Sequence, residues 1–140
     1  MTLGLLALVA EPLSQAMVGF FNVLPLQLGT VGRDTAALVH LQLDDLALTT
    51  IAESDRVDIS SIVIDPRSHK PIAYAEDVIR PVYRALGVEF VEIIERLNSQ
   101  LTGGSQVLAQ SLDNRYWTVY TDEGDRSPIY KVFDTTTGVL

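Results

Sequence analysis

No cysteine occurs among the 140 residues, which excludes disulfides, thiolate metal sites and a cysteine nucleophile. Such usage fits a reducing compartment, and a cytoplasmic location is expected. Histidine is almost as scarce: His40 and His69 are the whole supply, so any imidazole chemistry rests on those two. Positive charge is missing from residues 1–28, which hold one charged side chain, Glu11; the first basic residue is Arg33. A secretory signal needs a basic start, and a membrane-surface helix needs Lys or Arg on its polar face; neither is present. Residues 3–28 are long enough to span a bilayer, which takes roughly 20 residues. Glu11, Ser14, Gln15, Asn22 and Gln27, with Pro12 and Pro25, interrupt the run, so a membrane role is not expected.

Other motifs are absent too. The chain has no G-x-S-x-G elbow, phosphate-binding P-loop, G-x-G-x-x-G turn or H-E-x-x-H helix. It has no low-complexity stretch and no internal repeat visible in the residues. With 18 acidic against 10 basic side chains the net charge is −8, which repels phosphate backbones and argues against nucleic-acid binding.

What is present describes a globular chain. Apolar residues make up 47% and charged ones 20%, which excludes a disordered composition. At this length a single domain, 1–140, is expected, with about two-thirds of the unfolded surface buried. Within 1–28, Glu11 and Pro12 suit a helix start, and Leu13, Met17, Phe20, Phe21 and Leu24 recur with Ala16 on one helical face. The opposite face is small and uncharged. This apolar arm is expected to pack on the body of the chain, a second copy or a partner, and those five large side chains are the candidate interaction residues.

Residues 34–50 fit either a helix, with Ala36, Val39, Leu43 and Leu46 aligned, or a strand through Val39, Leu41 and Leu43; periodicity leaves both open. From Asp58 the pattern sharpens. ISSIVID and PIAYA flank the turn residues Pro66–Lys70 and predict a hairpin. Ile79, Val82, Tyr83, Leu86, Phe90, Ile93, Ile94, Leu97 and Leu101 hold the helical period, which predicts one long helix from Pro81 to the Gly103-Gly104 stop. Residues 106–111, 116–121 and 129–134 then read as a three-strand meander, with Asp113-Asn114 as a tight turn. Along its middle strand Trp117, Val119 and Thr121 share one face and Tyr116, Thr118 and Tyr120 the other, so both faces are expected to be covered.

The predicted class is therefore α+β, an antiparallel sheet of about five strands crossed by one long helix, with an N-terminal amphipathic helix. The β-β-α-β-β-β order resembles, in topology alone, the profilin-like sheets of sensory and roadblock-type scaffold domains. No residue motif carries that resemblance, and it implies a fold and not a function.

Residues capable of chemistry are few. On a helix, His40 and Asp44 would share a face at i, i+4, with Asp45 beside them: half of a metal site, lacking a third ligand. His69 lies in a polar turn with Asp65, Arg67 and Lys70. Arg80 and Arg84 would form a basic spot on the long helix, along which Glu89, Glu92 and Glu95 lie without an opposing carboxylate. Neither a metal site nor a cofactor is expected, and no catalytic residue is assigned. The expected function is a non-catalytic interaction, scaffold or assembly role, with a homo-oligomer or a protein partner. The alternative is a small-molecule sensor with a pocket between sheet and helix, lined by Tyr74, Tyr83, Phe90 and Trp117. A small enzyme using His40 or His69 ranks third.

Overall fold

A computed structural model describes residues 26–29, 34–42 and 44–140. The arm residues Leu13, Met17, Phe20, Phe21 and Leu24 lie outside them. The chain divides into two compact units, Met1–Ser60 and Ser61–Leu140.

In the first unit, β1 (Leu26–Gly29), β2 (Ala37–Leu41) and β3 (Leu48–Ala52) form an antiparallel sheet in the order β1-β2-β3. The segment left open between helix and strand is therefore strand: Val39 pairs with Gln27 on one side and Thr50 on the other. β2 is the central strand, and Ala37, Leu38, Val39 and Leu41 are all buried, which explains why it has no clean polar face. Asp58 anchors the strand's entry, its Oδ1 accepting from the Ala36 N–H at 2.7 Å, while the Ile59 N–H donates to the Ala36 carbonyl at 3.0 Å.

Two further antiparallel sheets follow. β4 (Ile59–Ile64), β5 (Pro71–Asp77) and β6 (Pro81–Ala85) form one; β7 (Gly104–Gln110), β8 (Tyr116–Asp122) and β9 (Ile129–Asp134) form the other, each with its strands in chain order. Between them lie a 3-10 turn, Val88–Phe90, and the helix α1, Val91–Gln100.

Three separate three-stranded sheets with one short helix replace the predicted five-strand sheet crossed by a long helix. The fold is mostly β, and the profilin-like topology is overturned with it. The long helix fails at its first half. Val82 and Tyr83 lie on β6, opposite Glu76 and Ala75 of β5, with Val78, Ile79 and Arg80 as the turn between. Pro81 opens that strand, where fixed φ and a missing N–H are tolerated. Gly87 is extended, at φ −136° and ψ 148°, and separates the strand period from the helical one that follows. The predicted hairpin and meander are both found. A meander recurs three times in succession although no residue repeat betrays it.

The second unit has one apolar core. Val63, Ile72, Ala73, Ala75 and Tyr83 of the second sheet meet Ile94, Leu97 and Leu101 at α1 and Val107, Trp117, Val119 and Phe133 of the third sheet. Trp117 and Phe133 are cross-strand partners with ring centroids 6.0 Å apart. Pairs of this kind add about 0.5–1.5 kcal/mol beyond area burial.

Candidate interaction surface

β8 alternates strictly. Trp117, Val119 and Thr121 point into the core, so Tyr116, Thr118 and Tyr120 must take the opposite face. The ladder brings their neighbours to the same side: Gln106 and Ala109 from β7, and Tyr130, Val132 and Asp134 from β9. Tyr130 is 68% exposed, Val132 56% and Tyr116 42%, a level that a singly scattered surface residue could explain but a contiguous set does not. Tyr120 and Tyr130 meet edge to face, centroids 5.4 Å apart, so two of the aromatics are held in place before anything binds.

One corner of the face is charged but neutralised. Arg115 Nη2 lies 3.1 Å from Asp134 Oδ2, and its guanidinium sits 4.9 Å from the Tyr116 ring centroid. The hydrogen bond from Arg115 holds the Asp134 carboxyl below its usual range, and the same pairing raises the Arg115 guanidinium. At the adjoining turn, Ser111 and the Arg115 N–H hold Asp113 below its usual range. Asn114 takes the left-handed conformation there, φ 58°, which Asn tolerates better than most residues. At the far end of the strand the exposed Asp122 shares the face with Tyr120.

The other sequence-predicted residues fall elsewhere. His40 is half-buried on β2, opposite Thr49, while Asp44 and Asp45 sit in the following turn, so the i, i+4 spacing does not exist as a helical face. Asp45 Oδ1 accepts from the Ala47 N–H. His69 is exposed at the β4–β5 turn with φ 57°, and its N–H donates to the Asp65 carbonyl. Arg80 lies in the β5–β6 turn and donates to the Leu101 carbonyl, and Arg84 on β6 pairs with Glu76 at 3.1 Å; neither is on a helix. Among the described residues, no group of three or more His, Cys, Asp or Glu could hold a metal. No helix among them is long and apolar enough to cross a membrane.

Of the four pocket candidates, Tyr83 and Trp117 are buried in the shared core and Phe90 packs against it, while Tyr74 is half-buried on β5. Tyr83 does the most to join the sheets of this unit. Its hydroxyl accepts from the Val107 N–H of β7 at 2.8 Å and shares a 3.4 Å hydrogen bond with Ser61 of β4. Burial raises its phenol above the ordinary value of 10.0. Sequence reasoning missed Tyr130 and Val132 as members of the exposed face. Their alternation with Lys131 and Phe133 on β9 was the available signal.

No family model matches the chain, and no solved structure matches it. Over 109 residues it is 26% identical to dipeptidyl aminopeptidase BIII of Pseudoxanthomonas mexicana. That stretch covers 78% of this chain and 16% of the peptidase, so the chain is similar to a small part of a much longer protein.

Proposed function

We propose that this chain is a non-catalytic assembly segment that docks protein surfaces, its own copies first, through an apolar sheet face. The observation that carries the reading is the contiguous face of Tyr116, Thr118, Tyr120, Tyr130 and Val132. Tyr116, Tyr130 and Val132 on it are exposed, whereas Trp117, Val119, Thr121 and Phe133 on the other side of the same sheet are buried. Antiparallel sheets normally keep one face polar for water. A cytoplasmic location is part of the proposal and rests on the absence of cysteine.

Light scattering of the purified chain tests the reading. A mass above that of one chain, 15.4 kDa, which falls on dilution, is expected. A monomer at every concentration up to about 100 μM, where any association tighter than that Kd would show, overturns it.

A further inference from the structure

We infer that Tyr120 and Tyr130 form an oxidative cross-linking site, at which one-electron oxidation joins the two rings as a dityrosine within one chain, whatever the chain's state of association.

The register sets the geometry. The Thr135 N–H donates to the Arg115 carbonyl, so these two residues are a hydrogen-bonded pair next to the β8–β9 ladder. Hydrogen-bonded and non-hydrogen-bonded pairs alternate along an antiparallel ladder. Trp117 with Phe133, Val119 with Lys131 and Thr121 with Ile129 are therefore hydrogen-bonded pairs, and Tyr120 with Tyr130 is a non-hydrogen-bonded one. Side chains of directly opposed residues come closest at such pairs. The two rings accordingly meet with centroids 5.4 Å apart and planes at 62°. Coupling them asks for rotation of two side chains and leaves the backbone ladder in place.

The surroundings favour this pair over the other tyrosines. Tyr130 is 68% exposed and is the point of attack, with Tyr120 half-buried beside it. No cysteine competes for the oxidant, and the Trp117 indole is buried on the opposite side of the sheet. Tyr83 is buried too, and Tyr74 lies across from Arg84 on β6. Tyr116 is exposed, but the Arg115 guanidinium lies 4.9 Å from its ring centroid, and a positive charge there opposes removal of an electron. Tyr120 with Tyr130 is the one tyrosine pair in ring contact among the described residues.

The oxidant is hydrogen peroxide acting through a haem peroxidase; peroxide is neutral, so the net charge of −8 does not repel it. Each phenol gives up its O–H hydrogen as one proton and one electron. The unpaired electron of each phenoxyl radical spreads to the ring carbons beside the oxygen-bearing one. Two such carbons, one from each ring, form the new C–C bond, and the hydrogens they carried move to the phenol oxygens. The chain has then lost two hydrogen atoms, and one peroxide has been reduced to two waters.

The test treats the dilute full chain with a haem peroxidase and limiting hydrogen peroxide. Trypsin cuts after Arg115, Arg126 and Lys131, which leaves Tyr130 as the sole tyrosine of peptide 127–131 and Tyr120 on peptide 116–126. Mass spectrometry is expected to find these two peptides joined and lighter by two hydrogens. Dityrosine fluorescence is expected from a chain that still runs as a monomer on a denaturing gel. Tyr120→Phe and Tyr130→Phe are each expected to abolish the fluorescence, and Tyr116→Phe, on the same peptide as Tyr120, to keep it. Near-ultraviolet dichroism of Trp117 reports that each variant remains folded, so a lost link means a lost phenol. A link through Tyr116, covalent dimers as the main product, or fluorescence retained in either Tyr120→Phe or Tyr130→Phe overturns the inference.

Discussion

The side-chain amide of Asn98 bonds to both backbone groups of Tyr83: its Oδ1 accepts from the Tyr83 N–H at 2.9 Å and its Nδ2 donates to the Tyr83 carbonyl at 2.8 Å. β6 is the last strand of its sheet, so α1 covers an edge that would otherwise offer free donors and acceptors. Asn98→Leu keeps the size and removes both bonds. It is expected to cost about 2–4 kcal/mol, from two part-buried hydrogen bonds at roughly 1–2 kcal/mol each, read as a lower urea midpoint.

Tyr83→Phe removes a single oxygen, yet it withdraws the acceptor of the Val107 N–H and the partner of Ser61. A loss of about 1–3 kcal/mol is expected, because a buried N–H is left unsatisfied. The substitution also changes the alkaline limb. The folded-state phenol lies above its unfolded value of 10.0. Its stabilisation is therefore complete below pH 10 and is lost as pH rises from there through the folded value. A pH titration of thermal unfolding should lose stability above pH 10 in the wild type, and less steeply in Tyr83→Phe.

Acid acts on other groups with the opposite sign. Asp134 is held below its ordinary 3.8 by the Arg115 hydrogen bond, Asp113 by Ser111, and Asp65 by the Arg67 N–H. Their contribution is present above that value and is lost as pH falls through the lower folded ones. Asp113 is exposed and Asp65 and Asp134 are half-buried at turn or strand-end positions in reach of solvent, so the loss is expected to be small and salt-sensitive. Arg115→Gln should bring the Asp134 carboxyl back toward 3.8, which carboxyl NMR titration would read directly; an unchanged value would contradict the assigned cause.

Gly138 holds φ at 69°, and a Cβ there would run into the side chain of Arg96. Gly138→Ala is expected to destabilise by roughly 1–2 kcal/mol, the cost of left-handed backbone, because the flexible end of Arg96 can swing aside. In the double variant Gly138→Ala/Arg96→Ala the backbone cost should remain, read as a lower urea midpoint than that of Arg96→Ala alone.

Local chemistry in the sequence marked the third meander well. Asp113-Asn114 supplied a turn residue able to adopt φ 58°, and strict alternation along 116–121 separated Trp117 from Tyr116 correctly. The same reading failed between Ile79 and Leu86. There the apolar residues fit a 3.6 period by coincidence, while the pairing of Tyr83 with Ala75 and its bonds to Asn98 decide the conformation. Those contacts are non-local and leave no periodic trace; Pro81, read as a helix start, opens a strand instead, and Gly87 separates that strand from the helical turn. The division into three sheets was illegible for the same reason. Which hairpins stay apart depends on partners such as Val107 and Tyr83, which lie far apart in the chain. The outer aromatic face was half legible: Tyr116 and Tyr120 could be placed on it, while Tyr130 and Val132 joined it only once β9 was in register with β8.

The fully buried Trp117 is the chain's one tryptophan, and it belongs to the Ser61–Leu140 unit. Indole emission is thus a private signal of that unit, blind to whatever happens among β1, β2 and β3. Far-ultraviolet dichroism, in contrast, sums the strands of both. Two melting curves recorded on one sample therefore carry different information: their coincidence would mean that the two units unfold as one cooperative body, and their separation would give each its own stability.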